Sequence, residues 1–173
     1  GARASARAGD RPYNSSMTTP DPKTAIREQA LAVGFDCVGF ARPELGGEVR
    51  ADLASFLAAG HYGDMDWLAR NEERRGDPRT LWPEVGTVIV VGLNYGPGGG
   101  EEDPDPLAPL GHPERGCISA YARNRDYHDV AKKRLKQLGR WLMGAYGGEI
   151  KVFVDTAPVM EKPLAREAGM VWQ

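Results

Sequence analysis

The spacing of hydrophobic and polar positions predicts helices and strands in mixed order from residue 21 onward. Asp21-Pro22 is typical of a helix start, and apolar residues then recur at helical spacing until Gly34, which predicts a first helix over 22–33. A short apolar run at 37–41 predicts a buried strand, and a second helical pattern covers 49–59. Residues 60–83 show no regular period, so we expect them to be irregular.

The second half of the chain carries the strongest patterns. Four consecutive apolar β-branched residues, 88–91, within 87–95 predict a central strand that is covered on both faces. The glycine- and proline-rich stretch 96–115 is expected to be a long exposed loop. Apolar residues at steps of three and four predict a long amphipathic helix over 126–146. Further short strands are predicted at 118–122 and 150–154, with a last helix from the turn at Asp155 through about 168.

These elements predict an α/β (α+β) domain with a mixed sheet flanked by helices. Residues 1–20 contain too few large apolar side chains to join a core, and we expect a disordered N-terminal extension there. Residues 21–173 are long enough for one domain with a substantial core. No apolar run approaches the roughly 20 residues of a membrane-spanning helix, so no membrane segment is expected.

The cysteine count limits the metal chemistry of this chain. Its two cysteines, Cys37 and Cys117, exclude a disulfide scaffold and a four-thiolate zinc or iron–sulfur site built from this chain alone. Cys37 lies in the short apolar strand and is expected in the core.

The charge is unevenly distributed although the net charge of the chain is only −2. Residues 115–140 carry eight basic and two acidic side chains, a net charge of +6, and four of the basic ones fall on the polar side of the long helix: Lys132, Lys133, Lys136 and Arg140. Charge alone leaves two alternatives, a solvated surface or a surface that contacts phosphates.

The common sequence motifs of catalysis are missing. Gly96–Gly100 lacks both the Lys-Ser/Thr pair of a phosphate-binding loop and the glycine spacing of a dinucleotide site, and the three histidines have no metal-ligand spacing. Asp155 is more informative, because it ends an apolar strand where the chain turns into a helix, and open α/β sheets place ligand sites there. A carboxyl group against apolar walls suits a general acid, and the alternative is a helix N-cap.

The cluster Asp126-Tyr127-His128-Asp129 also has two interpretations. It fits a helix start with Asp126 as the cap. Alternatively, Tyr127 or His128 contacts a ligand.

Five separated segments, in order along the chain, resemble one family. They are DPRTLWP at 77–83, GLNYGP at 92–97, GCISAYARNRDYHD at 116–129, VDTAPVMEKPLA at 154–165 and GMVWQ at 169–173. Together they resemble the epoxyqueuosine reductases, from about residue 24 to 173. The resemblance implies a nitroreductase-like, reductive-dehalogenase-like cobalamin-binding module. It further implies that 21–173 are the N-terminal domain, truncated before a ferredoxin-like domain with [4Fe–4S] clusters.

The resemblance also implies an activity and its cofactors. Members of the family are cytoplasmic monomers that reduce epoxyqueuosine to queuosine at the wobble position of tRNA, the last step of queuosine formation. They use cobalamin (B12) and electrons from two [4Fe–4S] clusters, for which this chain lacks the cysteines; the physiological electron donor stays open. The isolated chain is therefore expected to be inactive.

Site residues follow from the resemblance position by position. Asp155 matches the proton donor beside the cobalamin, Arg75 and Ser119 match cobalamin contacts, and Lys162 matches a basic residue that contacts the tRNA. Read without the resemblance, Arg75 fits a surface ion pair with Glu72 or Asp77, and Ser119 an ordinary strand residue.

Two other functions remain open from the sequence. One is a related corrinoid or flavin reductase that acts on a small molecule. The other is a non-catalytic module that binds a corrinoid or tRNA.

Overall fold

A computed structural model describes residues 21–96, 108–123 and 125–170 of the 173-residue chain. The disorder predicted for 1–20 and part of the loop predicted at 96–115 lie outside these ranges. The helices and strands are α1 (Pro22–Ala32), β1 (Cys37–Ala41), α2 (Gly47–Ala58), α3 (Asp66–Ala69), α4 (Glu72–Gly76), α5 (Pro78–Leu81), β2 (Val88–Gly92), α6 (Tyr127–Tyr146) and α7 (Glu161–Glu167). Two 3₁₀ turns lie at Ala108–Gly111 and Ala120–Ala122.

The sheet of the described residues consists of β1 and β2 alone. The two strands pair antiparallel, in a register that runs from Cys37 opposite Gly92 to Ala41 opposite Val88. The mixed sheet predicted from the sequence is therefore wrong for this part of the chain, as is the central position of β2. The molecule is a small α/β domain with a two-stranded sheet.

Helices pack on both faces of β2, as its β-branched sequence predicts. Ile89 and Val91 join a cluster around α1 and α6 that includes Phe35 and Leu138. Val88 and Val90, which point to the other face, pack near Leu164 of α7. The period of two along a strand places these alternate residues in separate layers. β2 thus lies between α1 and α6 on one side and α7 on the other.

Residues 150–154 are not a strand in the structure, although the sequence predicts one. Burial alternates along them as in a strand, but no ladder joins them to β2 within the described chain. Ile150 and Val152 instead approach α6 at Gly139, where a built Cβ would lie 3.5 Å and 3.9 Å from their side chains. The sequence thus correctly predicts the alternating burial of residues 150–154. The described structure lacks the backbone pairing with a neighbouring strand that would make this segment a β-strand.

Three further expectations need correction. The strand predicted at 118–122 is a 3₁₀ turn, and the region 60–83 contains the short helices α3, α4 and α5. Cys37 is exposed instead of buried, because it is the first residue of β1 at the end of the ladder.

Within the described ranges, no helix combines the length and the apolar character that crossing a bilayer requires.

Candidate functional site

A cleft of about 2080 Å³ opens between β2, α6 and the segment 149–155. Much of its wall is apolar and comes from β2 and α6. Polar side chains also line it, among them Tyr127, Asp155, Glu161 and Lys162. The structure therefore brings two of the predicted site residues, Asp155 and Lys162, to one cavity.

Asp155 has an unusual backbone conformation. Its φ of 52° is the only positive φ of a non-glycine residue in the described chain, and aspartate tolerates this left-handed region better than most residues. The backbone N–H of Asp155 donates a hydrogen bond to Oε1 of Glu161 at 3.2 Å. This bond fixes the turn that carries the Asp155 carboxyl to the cleft.

Asp155 is not a helix N-cap, so that alternative is wrong. α7 begins six residues later, at Glu161, and Met160 occupies the N-cap position. The predicted start of the last helix at the Asp155 turn is corrected by the same observation. The Asp155 side chain is 49% exposed.

The start of α6 supplies the partners of the Asp155 carboxyl. The hydroxyl of Tyr127 donates a hydrogen bond to Oδ2 of Asp155 at 2.5 Å. Nε2 of His128 lies 3.5 Å from the same oxygen. The two rings stack on each other with their centroids 4.0 Å apart. Two neighbouring side chains of α6 therefore meet one carboxylate.

Asp126 caps α6 and also contacts the imidazole. Its Oδ1 accepts a hydrogen bond from the backbone N–H of His128 at 2.9 Å and lies 2.7 Å from the ring Nδ1. The helix-start interpretation of this cluster is confirmed. The same turn also presents Tyr127 and His128 to Asp155, so a structural role and a place in the site coexist.

The hydrogen bonds and the packing shift three acid–base equilibria in this cluster. The hydrogen bond to Asp155 raises the pKa of Tyr127 to about 12, so this phenol stays protonated and acts as a donor. Hydrogen bonds from the backbone and ring of His128 lower the pKa of Asp126. Loss of hydration raises the pKa of Glu161, with the nearby Asp155 charge acting in the same direction.

Two parts of the site were missed by the sequence analysis. Glu161 was not identified as the group that holds the Asp155 turn, since nothing in the local pattern joins residues six apart in an irregular segment. Tyr95 and Tyr121 were also missed. They line the cleft, and edge-to-face contacts of 6.2 Å and 6.0 Å join Tyr95 to Tyr121 and Tyr121 to Tyr127.

Arg75 lies outside the cleft lining, in α4. Its guanidinium stacks over the Trp67 ring at 4.8 Å, and burial lowers the pKa of this guanidinium from its ordinary value. No ion pair with Glu72 or Asp77 forms in the described structure, where Asp77 pairs with Arg79, so that alternative is wrong. The Nε atom of Arg75 is buried without a hydrogen-bond partner, which is a costly arrangement unless a further group binds there.

Ser119 is exposed and precedes the 3₁₀ turn Ala120–Ala122. Its side chain makes no capping hydrogen bond, and it does not line the cleft. Ala120 and Tyr121, the next two residues, do line it. Ser119 is therefore adjacent to the cleft, and it lies in a 3₁₀ turn region where the sequence predicts a strand.

The basic residues divide between two places. Lys162 lies in the first turn of α7 and lines the cleft. The exposed basic side chains of α6 lie outside the cleft lining; they are Lys132, Lys133, Lys136 and Arg140. Four of the five lysine and arginine side chains of α6 therefore face solvent, and the fifth, Arg134, lines the cleft.

Among the residues that the structure describes, no group of three or more His, Cys, Asp or Glu side chains is placed to hold a metal ion.

Fold and site together define an α/β domain with an acid–base cluster in an open cleft. Residues 75–156 match the family model described as "Epoxyqueuosine reductase QueG, DUF1730". The chain is 36% identical over 167 residues to the epoxyqueuosine reductase of Pseudomonas aeruginosa, with 93% of this chain and 44% of that protein covered. It is 38% identical over 162 residues to the epoxyqueuosine reductase of Xanthomonas campestris pv. campestris, with 90% of this chain and 44% of that protein covered. The chain belongs to the epoxyqueuosine reductase family, and it spans less than half the length of these relatives.

Solved structures of the family share the fold. The epoxyqueuosine reductase of Streptococcus thermophilus superposes with a TM-score of 0.69 at 22% identity, covering 87% of this chain and 39% of that one. A second epoxyqueuosine reductase, solved with a tRNA-Tyr epoxyqueuosine-modified stem loop, gives 0.66 at 23% identity, covering 84% and 37%. The Bacillus subtilis enzyme, whose catalytic aspartate loop is swung out of the active site, gives 0.65 at 21% identity, covering 87% and 38%.

Proposed function

We propose that this chain is the N-terminal cobalamin-binding domain of an epoxyqueuosine reductase, a cytoplasmic monomer that converts epoxyqueuosine to queuosine at the wobble position of tRNA. Its fold is of the nitroreductase-like, reductive-dehalogenase-like type. The observation that carries the proposal is the Asp155 carboxyl in the cleft, hydrogen-bonded by Tyr127 in a chain of this family.

Asp155 is the proton donor of the reaction. Reduction of an epoxide to an alkene takes two electrons and two protons and releases the oxygen as water. An alkoxide is a poor leaving group, so a proton on the departing oxygen is required. The Asp155 carboxyl faces the cleft where such an oxygen would bind, and Tyr127 and Glu161 hold it there.

Arg75, Ser119 and Asp155 are the residues of this chain that contact the cobalamin. The buried Nε of Arg75 lacks an acceptor, and the Ser119 hydroxyl makes no capping bond. Both suit the amide and phosphate groups at the edge of a corrinoid. The bound cobalamin would supply electrons to the substrate carbon, fed by [4Fe–4S] clusters that the rest of the protein carries.

Lys162 contacts the tRNA near the reacting nucleotide. It lies in the cleft lining on the helix that follows the Asp155 turn. Its ammonium neutralises a phosphate as a point charge, without the two-pronged bonding of an arginine. The exposed basic side of α6 offers RNA phosphates a further contact outside the cleft.

The test uses the full-length protein that contains this domain, loaded with cobalamin and iron–sulfur clusters and supplied with a chemical reductant. Incubation with tRNA that carries epoxyqueuosine should give queuosine, measured by mass spectrometry of the digested nucleosides. Conversion of the free nucleoside alone would favour the small-molecule reductase instead. Loaded protein that converts neither substrate would contradict the proposal and favour a non-catalytic binding module.

A further inference from the structure

We propose that His128 is the proton reservoir for Asp155, with Asp126 orienting the imidazole. The inference rests on the proposed function and adds a positioning residue, since His128 acts through Asp155. It concerns how a carboxyl group that is half exposed is supplied with a transferable proton from one turnover to the next.

The geometry assigns a direction to the imidazole. Nδ1 lies 2.7 Å from Oδ1 of Asp126, so this nitrogen carries the hydrogen that the Asp126 carboxylate accepts. Nε2, the other ring nitrogen, lies 3.5 Å from Oδ2 of Asp155, within ion-pair distance. The backbone bond from His128 to the same Asp126 oxygen fixes the cap and the ring together. A second hydrogen on Nε2 is therefore placed to pass to Asp155.

The proton count balances without any other reactant than water. Asp155 gives a proton to the departing oxygen and becomes a carboxylate. The imidazolium of His128 passes its Nε2 proton to Oδ2 of Asp155 and becomes neutral imidazole. Water restores the proton on His128, whose side chain is 42% exposed. No electrons move in these steps.

Tyr127 does not fill this role, although it is nearer to Asp155. Its pKa of about 12 makes loss of the phenol proton unfavourable near neutral pH. Its hydroxyl instead stabilises the carboxylate that remains after proton transfer, by a charge-assisted hydrogen bond. Tyr127 thus stabilises the Asp155 carboxylate, and His128 returns a proton to it.

The groups around the imidazole complement a positive charge. Asp126 and Asp155 contact its two nitrogens, and the Tyr127 ring stacks on its face. Glu161 approaches through the backbone N–H of Asp155. The cations that line the cleft are Arg125, Arg134, Lys151 and Lys162. Two carboxylates therefore flank the ring directly.

The experiment compares the pH dependence of conversion by the full-length holoenzyme with that of His128→Gln, which cannot hold a second proton. We expect the alkaline limb of kcat/KM to shift to lower pH by about one unit or more, because the imidazolium that resupplies Asp155 is lost. Near pH 5.5 the two rates should converge. Asp126→Asn should shift the same limb in the same direction, and Asp129→Asn, exposed in the same helical turn, should leave it in place.

Two outcomes overturn the inference. One is an unshifted alkaline limb in both His128→Gln and Asp126→Asn. The other is a loss of rate by the same factor at every pH, which is the result of a purely structural role. The Asp155→Asn variant separates this failure from that of the proposed function: if it keeps full activity, Asp155 is not the donor, whatever His128 does.

Discussion

The Tyr127 hydroxyl and the Asp155 carboxylate form a hydrogen bond of 2.5 Å that joins the first residue of α6 to a turn 28 residues later. A short bond from a neutral hydroxyl to a carboxylate is a strong one, since the acceptor is charged. It ties the left-handed turn at Asp155 to a long, well-packed helix. The carboxyl group is thereby held in the cleft by an element outside its own segment.

This contact should be visible in the titration of the phenol. We expect Tyr127 to deprotonate near pH 12, measured as the difference in tyrosinate absorbance between the wild-type protein and Tyr127→Phe. Asp155→Asn should return this value toward 10.0, because the charged acceptor is removed. Asp129→Asn serves as the control. A Tyr127 signal near 10 in the wild-type protein would show that the hydrogen bond is absent in solution.

Glu161 should make the stability depend on pH. Its pKa in the folded protein lies above 4.5, so the folded state binds this proton more tightly than the unfolded state does. The free energy of unfolding therefore loses the contribution of Glu161 as pH rises above about 4.5. At neutral pH, Glu161→Gln should have a larger free energy of unfolding than the wild-type protein. This difference should vanish below about pH 4.5, where Glu161 is protonated in both states.

Urea unfolding between pH 4 and 7 measures this effect. Glu167→Gln, at the exposed end of α7, is the control for the loss of one negative charge on the same helix. A difference between Glu161→Gln and wild type that stays constant over this range would contradict the assignment.

Gly39 should tolerate no side chain. A Cβ built at this position in β1 lies 2.5 Å from the carbonyl oxygen and 2.7 Å from the Cβ of Ala168, at the end of α7. Gly39→Ala should lower the free energy of unfolding by about 1–3 kcal/mol, as overpacking does. Gly47→Ala in α2, where nothing lies within 4 Å, is the matched control. Equal stabilities for the two variants would mean that α7 is not packed against β1.

Arg75 should contribute to cobalamin affinity. If its unpartnered Nε donates to the cofactor, Arg75→Ala should weaken binding by about tenfold or more, the size of a hydrogen bond from a charged group. Arg74→Ala, an exposed neighbour in α4, should bind normally. Titration of the full-length protein followed by corrinoid absorbance measures both. Unchanged affinity in Arg75→Ala would leave only its stacking on Trp67.

The helices α1, α2 and α6 and the strands β1 and β2 could be predicted from the sequence, because each has a local period. Residues 150–154 show the limit of that approach. Their apolar and polar alternation is visible, but whether a ladder forms depends on a neighbour that local spacing does not specify. The antiparallel pairing of β1 and β2 could not be predicted from local spacing either, because the paired residues are some fifty positions apart in the sequence.

The site was predicted in part. The family resemblance identified Asp155 and Lys162, which lie in one cleft, and the sequence cluster at Asp126 suggested Tyr127 or His128 as further members. The sequence could not reveal that these two meet Asp155 itself, since the contact joins separate segments. The positive φ of Asp155 was equally hidden, because an aspartate before a helix is more often read as a cap.

The most direct measurement is the single-turnover rate of epoxyqueuosine conversion by the full-length holoenzyme in excess over tRNA. The wild-type protein is compared with the Asp155→Asn variant. Asp155→Asn keeps the size of the side chain and removes its acidic proton. The account predicts conversion slower by about 10²–10⁴-fold, with the absorbance of bound cobalamin unchanged. Conversion at the wild-type rate would contradict the assignment of Asp155 as the proton donor.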